Sequence, residues 1–385
     1  MNRPLILVYA TALIVGISYG MHNPIVPVFS KEVIGASYFE LGLIGFSNFI
    51  PYMFIPLFVG LLLDRFNNGL LLTLGITIDA LSIYLLSISQ SVPEVAIFRA
   101  MTGVAHSFFW PPCESIISRV TSPQARVKSI SKFMGFFVGG LMIGPLIGTF
   151  LLEHSDVTYR ILFQYATFAI ATGIVSSLLL RKYGKTTHQT EFSLVSVKKI
   201  LKFPTIVIML IFCSSAFGIF LTILPAYMND RSISESNIEL LFFIFGISRL
   251  ISLGFSELLA KRIYYSLIGT MFSIALGMII LVYSFSFGTF VAAVLIMGFG
   301  FTVYFPLTFE IIMKKAQKER SGGLIGAYET TFGVGWAAGP LFAGIVANFF
   351  GNTAPYLMFF AIGIAVTSLV VLKKKELQPA WNPNL

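Results

Sequence analysis

Apolar residues run along this chain in stretches of about twenty, separated by short polar or basic segments. A helix of that length spans the hydrocarbon core of a bilayer. The stretches predict helices near 5–27, 41–63, 70–90, 94–118, 133–152, 160–180, 204–226, 238–259, 265–286, 288–312, 322–349 and 353–372. The fold class this predicts is an all-α membrane protein with twelve transmembrane helices. Only the segment 181–203 stays polar for long. It is expected to connect a first six-helix bundle over 1–180 to a second over 204–385.

The two halves share a motif. Gly140-Leu-Met-Ile-Gly144-Pro145-Leu-Ile-Gly148 recurs as Gly335-Trp-Ala-Ala-Gly339-Pro340-Leu-Phe-Ala343-Gly344, displaced by 195 positions. Glycines four apart lie on one helix face and let a neighbouring backbone approach closely. Proline beside the central glycine removes a backbone donor and bends the helix. Gly103 and Gly298 share the same displacement, as do Pro111 and Pro306, and Glu114 and Glu310 follow with one residue more. Six spans is an even number, so the halves are expected to be pseudo-symmetric parallel repeats.

Composition agrees with burial in lipid. Hydrophobic residues make up 56% of the chain and charged residues 11%, and mean hydropathy is +0.85. A water-soluble domain carries about 25% charged residues. The net charge of +9 reflects topology rather than nucleic-acid binding. Loops of one face carry twenty-one basic residues, from Arg3 and Arg65 through the connector to Lys375, and the opposite face only Lys31, Arg160 and Arg231. That asymmetry places both termini and the connector in the cytoplasm. Two cysteines in apolar segments, Cys113 and Cys213, exclude a disulfide framework, and no metal-ligand spacing occurs. Gly16-Ile-Ser18-Tyr-Gly20 matches a hydrolase elbow in letters, but it lies inside a spanning helix, not between a strand and a helix. No enzyme is expected.

Three motifs carry a family resemblance. Gly60-Leu-Leu-Leu-Asp64-Arg65, after the second span, resembles the G-x-L-x-D-R signature of the major facilitator superfamily, although Asn67-Asn68-Gly69 replaces its usual basic continuation. Arg99-Ala-Met-Thr-Gly103 resembles the R-x-x-x-G motif of its fourth span, and the Gly140–Gly148 stretch that of the drug–proton antiporter branch. The resemblance implies two bundles rocking about a central cavity walled by the first, fourth, seventh and tenth helices.

Charges sunk in spans are costly and mark function. Arg99, Gly103, His106, Trp110 and Cys113 fall on one face of a continuous fourth helix. Arg99 as a carbonyl cap and His106 as a packing histidine are the bland alternatives. Arg249 lies about 15 Å deep in the eighth span and Glu329 about 12 Å deep in the eleventh, where Phe332 and Trp336 share its face. A carboxylate that pairs with arginine and also takes a proton suits ion-coupled transport. A permanent structural pair is the competing reading. Asp79, at the depth of Arg99, is expected to neutralise it. Tyr19, His22, Tyr304 and Phe305 complete the candidate lining, with Asn23 and Asn48 as its few amides. At the cytoplasmic mouth, Arg65 with Glu114 and Lys261 with Glu310 are expected to form matched latches, and Asp64 to sit at the start of the eleventh helix.

The expected function is secondary active transport by alternating access: proton-coupled efflux of a lipophilic or amphipathic small molecule. Uptake or exchange of an organic anion at Arg99 and Arg249 is the alternative, and a non-transporting sensor of the same fold is a third. The partners expected are a small-molecule substrate and the bilayer of the cell membrane. A monomer, no nucleic acid and no cofactor other than a proton gradient are expected.

Overall fold

The computed structural model describes residues 3–63, 65–121, 123–154, 156–184, 201–315 and 321–377. Within its helices some side chains are outside that description, among them Pro306, Glu310 and Glu329.

Among the described residues the regular structure is helical. The first half runs α1 (Arg3–His22), α2 (Val26–Glu32), α3 (Tyr38–Leu63), α4 (Asn68–Ile88), α5 (Val92–Ser107), α6 (Trp110–Val120), α7 (Pro123–His154) and α8 (Tyr159–Leu180). The second runs α9 (Pro204–Thr222), α10 (Leu224–Asp230), α11 (Glu235–Gly254), α12 (Ser256–Ala260), α13 (Ile263–Val282), α14 (Phe287–Lys315), α15 (Ser321–Phe350), α16 (Ala354–Leu372) and α17 (Lys374–Leu377). Ten of the described helical stretches are long and apolar enough to cross a membrane. Of the two remaining expected spans, α3 is a 26-residue helix with some side chains outside the description, and the fourth is cut in two. Exposed Phe168, Phe349 and Phe350 would be a liability in water and suit contact with lipid tails.

Four expected spans are broken rather than continuous. The first breaks after His22, where Pro24 disfavours helix at the residue before it. Pro27 then starts α2, where its missing N–H costs nothing. The seventh breaks in the same way at Ile223, and Pro225 starts α10. The fourth breaks at Phe108 and Phe109, ahead of Pro111 and Pro112. The eighth breaks at Phe255, next to Gly254. By contrast, Pro145 and Pro340 sit inside unbroken α7 and α15.

The chain forms two compact units: Met1–Glu191 with Leu221–Phe243, and Phe192–Phe220 with Ile244–Leu385. In the first, α1 packs on α7 and α8, and α4 on α5 and α8. In the second, α13 packs on α14 and α16. The third helix of each half therefore meets the fourth and sixth of its own half.

The glycine motif explains a further shared contact. A Cβ on Gly140 would lie 2.7 Å from Ile17 N, and one on Gly144 2.7 Å from Met21 N, both in the backbone of α1. A Cβ on Gly20 would reach Pro145 Cδ at 2.7 Å. In the second unit a Cβ on Gly339 would lie 2.6 Å from Ser215 Cα of α9, and one on Gly218 2.9 Å from Pro340 Cδ. Gly335 meets Ser214 in the same way. The fifth helix thus seats on the first, and the eleventh on the seventh, through the same glycine-and-proline surface. Gly16 and Gly20, the false hydrolase match, are partners in this contact.

Candidate functional site

In the first unit the polar residues converge on Arg99, which is 2% exposed. Its Nη2 donates to Asn23 Oδ1 at 2.7 Å. With its amide turned to satisfy both partners, Asn48 accepts from Nη2 at 3.2 Å and donates to the Arg99 carbonyl at 3.0 Å. Gly103, one turn on, faces the Asn48 backbone so closely that any Cβ would collide with its carbonyl. The R-x-x-x-G spacing therefore has a physical reason: the glycine brings α3 against α5, and Asn48 can then grip the arginine.

Asp79 on α4 is not the direct partner of Arg99 that its depth predicts. Two amides hold the guanidinium instead, and the Asp79 carboxyl lies beside His106, Oδ2 to Nε2 at 3.7 Å. Asp79 Oδ1 and Arg99 Nη1 are buried without a hydrogen-bond partner among the described residues. Tyr19 lies between the two histidines, its ring 4.7 Å from His106 and 5.5 Å from His22. His22 is fully buried and its Nδ1 bonds the Ser18 carbonyl at 2.7 Å. A small recess beside the cluster is lined by Asn23, Pro27, Leu41, Ile44, Arg99 and Thr222.

The stripe expected on a continuous fourth helix ends at His106. Because the helix breaks at Phe108, Trp110 joins a separate aromatic group, 4.9 Å from Phe137 and 5.3 Å from Phe133, and Cys113 is buried.

In the second unit Arg249 lies over the rings of Phe217 and Phe245, its guanidinium carbon 5.6 Å from each centroid. Its Nε has no hydrogen-bond partner among the described residues. Phe217 is 5.8 Å from Trp336 and 5.2 Å from Phe301, and Phe332 is 4.7 Å from Trp336. Tyr304 stacks on Phe332 at 5.9 Å, and Phe305 meets Phe332 edge-on at 5.8 Å. This is a π-rich box holding one cation. The Glu329 side chain, its expected counter-charge, lies outside the described residues.

Of the expected latches, Arg65, Glu114 and Lys261 are exposed. Arg65 and Glu114 form no ion pair with each other among the described residues. Gly60 lies in the last turn of α3 and Gly148 on α7; Asp64 and the Glu310 side chain fall outside the described residues. Sequence reasoning missed Glu239, a fully buried carboxyl on α11. It is the second residue of the predicted span 238–259, where hydropathy alone does not single it out.

The chain matches the sequence pattern of the Major Facilitator Superfamily over residues 8–340 and 206–384. It is 23% identical over 394 residues to the quinolone resistance protein NorA of Staphylococcus aureus, covering 98% of each chain. It is 25% identical over 221 residues to Multidrug resistance protein 1 of Bacillus subtilis (strain 168), covering 57% of this chain and 56% of that one. Its fold is similar to that of the nucleoside transporter NupG, with a TM-score of 0.80, 14% identity and coverage of 97% and 100%. It is also similar to the peptide transporter POT, solved in complex with sulfate, with a TM-score of 0.82, 13% identity and coverage of 98% and 95%. With its helical repeat, its lipid-compatible surface and a sequence match spanning most of its length, this multi-pass membrane protein belongs to the Major Facilitator Superfamily of transporters.

Proposed function

We propose that this transporter is a proton-coupled exporter of lipophilic or amphipathic small molecules in the cell membrane. It works as a monomer by alternating access of two six-helix halves, 1–180 and 204–385, with the connector 181–203 and both termini in the cytoplasm. The observation that carries this reading is the aromatic box around Arg249, in which Phe217, Phe245, Phe301 and Trp336 surround a single guanidinium. Flat apolar faces with one fixed charge suit amphipathic ring compounds better than sugars, which call for many amide and carboxylate groups. The names of the two relatives, quinolone resistance and multidrug resistance, support export of such compounds.

Glu329, which shares a helix face with Trp336 by its spacing, is the proposed proton carrier, with Arg249 and Arg99 as counter-charges. Protonation would release it from arginine, so substrate and proton compete for one charge balance. The alternative, uptake or exchange of an organic anion, is favoured by a specific observation. Arg99 is held by two neutral amides, Asn23 and Asn48, rather than by a carboxylate.

Purified protein in liposomes under an imposed pH gradient tests both readings. Cationic dyes and organic anions are supplied in parallel. Export predicts gradient-driven accumulation of the amphipathic dyes, lost in Glu329→Gln. Accumulation of anions alone moves the assignment to the second reading, and undiminished transport by Glu329→Gln removes the carboxylate from the mechanism.

A further inference from the structure

The segment Leu221–Phe243 belongs to the first compact unit and is tied to it by side chains distant in sequence. α10 packs on α2. Asp230 binds Lys31 through Oδ1 and accepts from the Tyr38 hydroxyl through Oδ2 at 2.7 Å. Tyr159 donates to Glu235 at 2.5 Å, and Thr149 donates to the Ser236 carbonyl at 3.1 Å. The segment is thus a strap drawn across α2, α7 and the start of α8.

One residue of the strap is out of keeping with these satisfied polar contacts. Glu239 is fully buried, and neither carboxyl oxygen has a hydrogen-bond partner among the described residues. Its side chain fills the hollow left by Gly148, where a Cβ would lie 2.9 Å from Oε1. Gly140 and Gly144 of the same motif face α1; Gly148, one turn on, receives this carboxyl from α11. The ionisable groups nearby are accounted for. Glu235, one turn before it on α11, is bonded by Tyr159, and Arg160 of α8 donates to the Ser87 carbonyl at 2.8 Å. Glu153 and His154 of α7 lie on its exposed end. No charged group among the described residues acts on Glu239.

An ionised carboxylate without donors or a counter-charge is not tolerated in an apolar contact; the group neutralises or moves out. We propose that Glu239 is a proton-binding site that makes the docking of the strap dependent on pH. Docked against Gly148, Glu239 carries a proton. When the strap lifts, water reaches the carboxyl and takes the proton, and the charged form holds the strap away. The surrounding Lys31–Asp230 and Tyr159–Glu235 contacts position the strap, whereas Glu239 decides whether it can stay. In a proton-coupled exporter this would link proton uptake to one conformational step. That consequence rests on the function proposed above; the protonation site does not.

Spin labels on cysteines introduced at Ser232 and Asp156, both exposed, report strap docking in the full-length protein without any transport. The expected result is a short distance in acid that shifts to longer values as pH rises, with Glu239→Gln short throughout. A distance insensitive to pH, or a Glu239→Gln response matching that of the parent, overturns the proposal. Dicyclohexylcarbodiimide, which adds to protonated carboxyls in apolar surroundings, gives a second readout on the unaltered protein. An adduct on Glu239 that fades with rising pH supports the site, and its absence at every pH overturns it. A pH-dependent distance in a protein that moves no substrate against a proton gradient would leave the site standing and refute proton coupling instead.

Discussion

Gly144→Ala puts the central packing contact to a quantitative test. The new Cβ would lie 2.3 Å from Ile17 O, 2.7 Å from Met21 N and 2.8 Å from Gly20 C, and all three atoms are backbone that cannot rotate away. Ordinary contacts begin near 3.4 Å, so α1 and α7 must separate by roughly 1 Å at this point, loosening the van der Waals packing on either side. Overpacking of this kind costs about 1–3 kcal/mol. Alanine also gains about 1 kcal/mol over glycine in helix propensity, so the comparison must be made with a second glycine-to-alanine change. Gly139 supplies it: it neighbours Gly140 in sequence, and a Cβ there meets nothing within 4 Å. The propensity gain is common to both variants and cancels. Gly144→Ala should therefore be less stable than Gly139→Ala by about 1–3 kcal/mol, a factor of about 5–150 in the unfolding equilibrium. Equilibrium unfolding in mixed micelles followed by circular dichroism reads the difference. Because α9 and α15 meet in the same way, Gly339→Ala should behave like Gly144→Ala. Equal stability of Gly144→Ala and Gly139→Ala would refute the close-approach reasoning in the first half, and a neutral Gly339→Ala would refute it in the second.

Other outcomes follow from the same geometry. Arg249→Lys keeps the charge but loses the planar group lying over Phe217 and Phe245, a contact worth about 0.5–2 kcal/mol; Trp336 emission should shift and substrate should quench it several-fold more weakly, whereas unchanged binding would remove Arg249 from the box. Cys113 and Cys213 are both fully buried, so a membrane-impermeant maleimide should leave the folded protein unlabelled; rapid labelling of either would contradict the packing around it. Burial holds the Tyr227 hydroxyl above the ordinary tyrosine range, against a smaller opposing pull from Arg231. Its contribution is then present at neutral pH and lost as pH rises through that range. Tyr227→Phe should flatten this alkaline loss in an unfolding titration, and an unaltered alkaline limb would assign the loss elsewhere.

Much of the scaffold was legible because lipid imposes length and apolarity on every span, and because a duplicated glycine-and-proline motif advertises two like halves. The motif showed which helix faces were flat. It could not name the partner, since Gly16 and Gly20 were legible only as small residues until α1 lay against α7. Prolines betray the breaks at Pro24, Pro111 and Pro225, yet hydropathy averages across them. That averaging is why Trp110 was placed on a stripe with Arg99 that the break at Phe108 divides.

The candidate site was readable as residue types but not as partnerships. Depth in the membrane matched Arg99 to Asp79, whereas the backbone approach at Gly103 gives the arginine to Asn23 and Asn48 and leaves Asp79 to His106. One-dimensional depth carries no information on rotation about a helix axis or on which helices touch. Glu239 was invisible for the same reason, because its burial comes from a glycine on another helix, 91 positions away in the chain.

The most direct test of transport by proton exchange is the flux run in reverse. Liposomes containing the protein and an internal pH dye are loaded with a transported amphipathic substrate and diluted into substrate-free buffer at equal pH. Substrate leaving down its gradient must draw protons in, so antiport predicts acidification of the lumen, abolished in Glu329→Gln. Substrate efflux through the protein with no change in internal pH would contradict it.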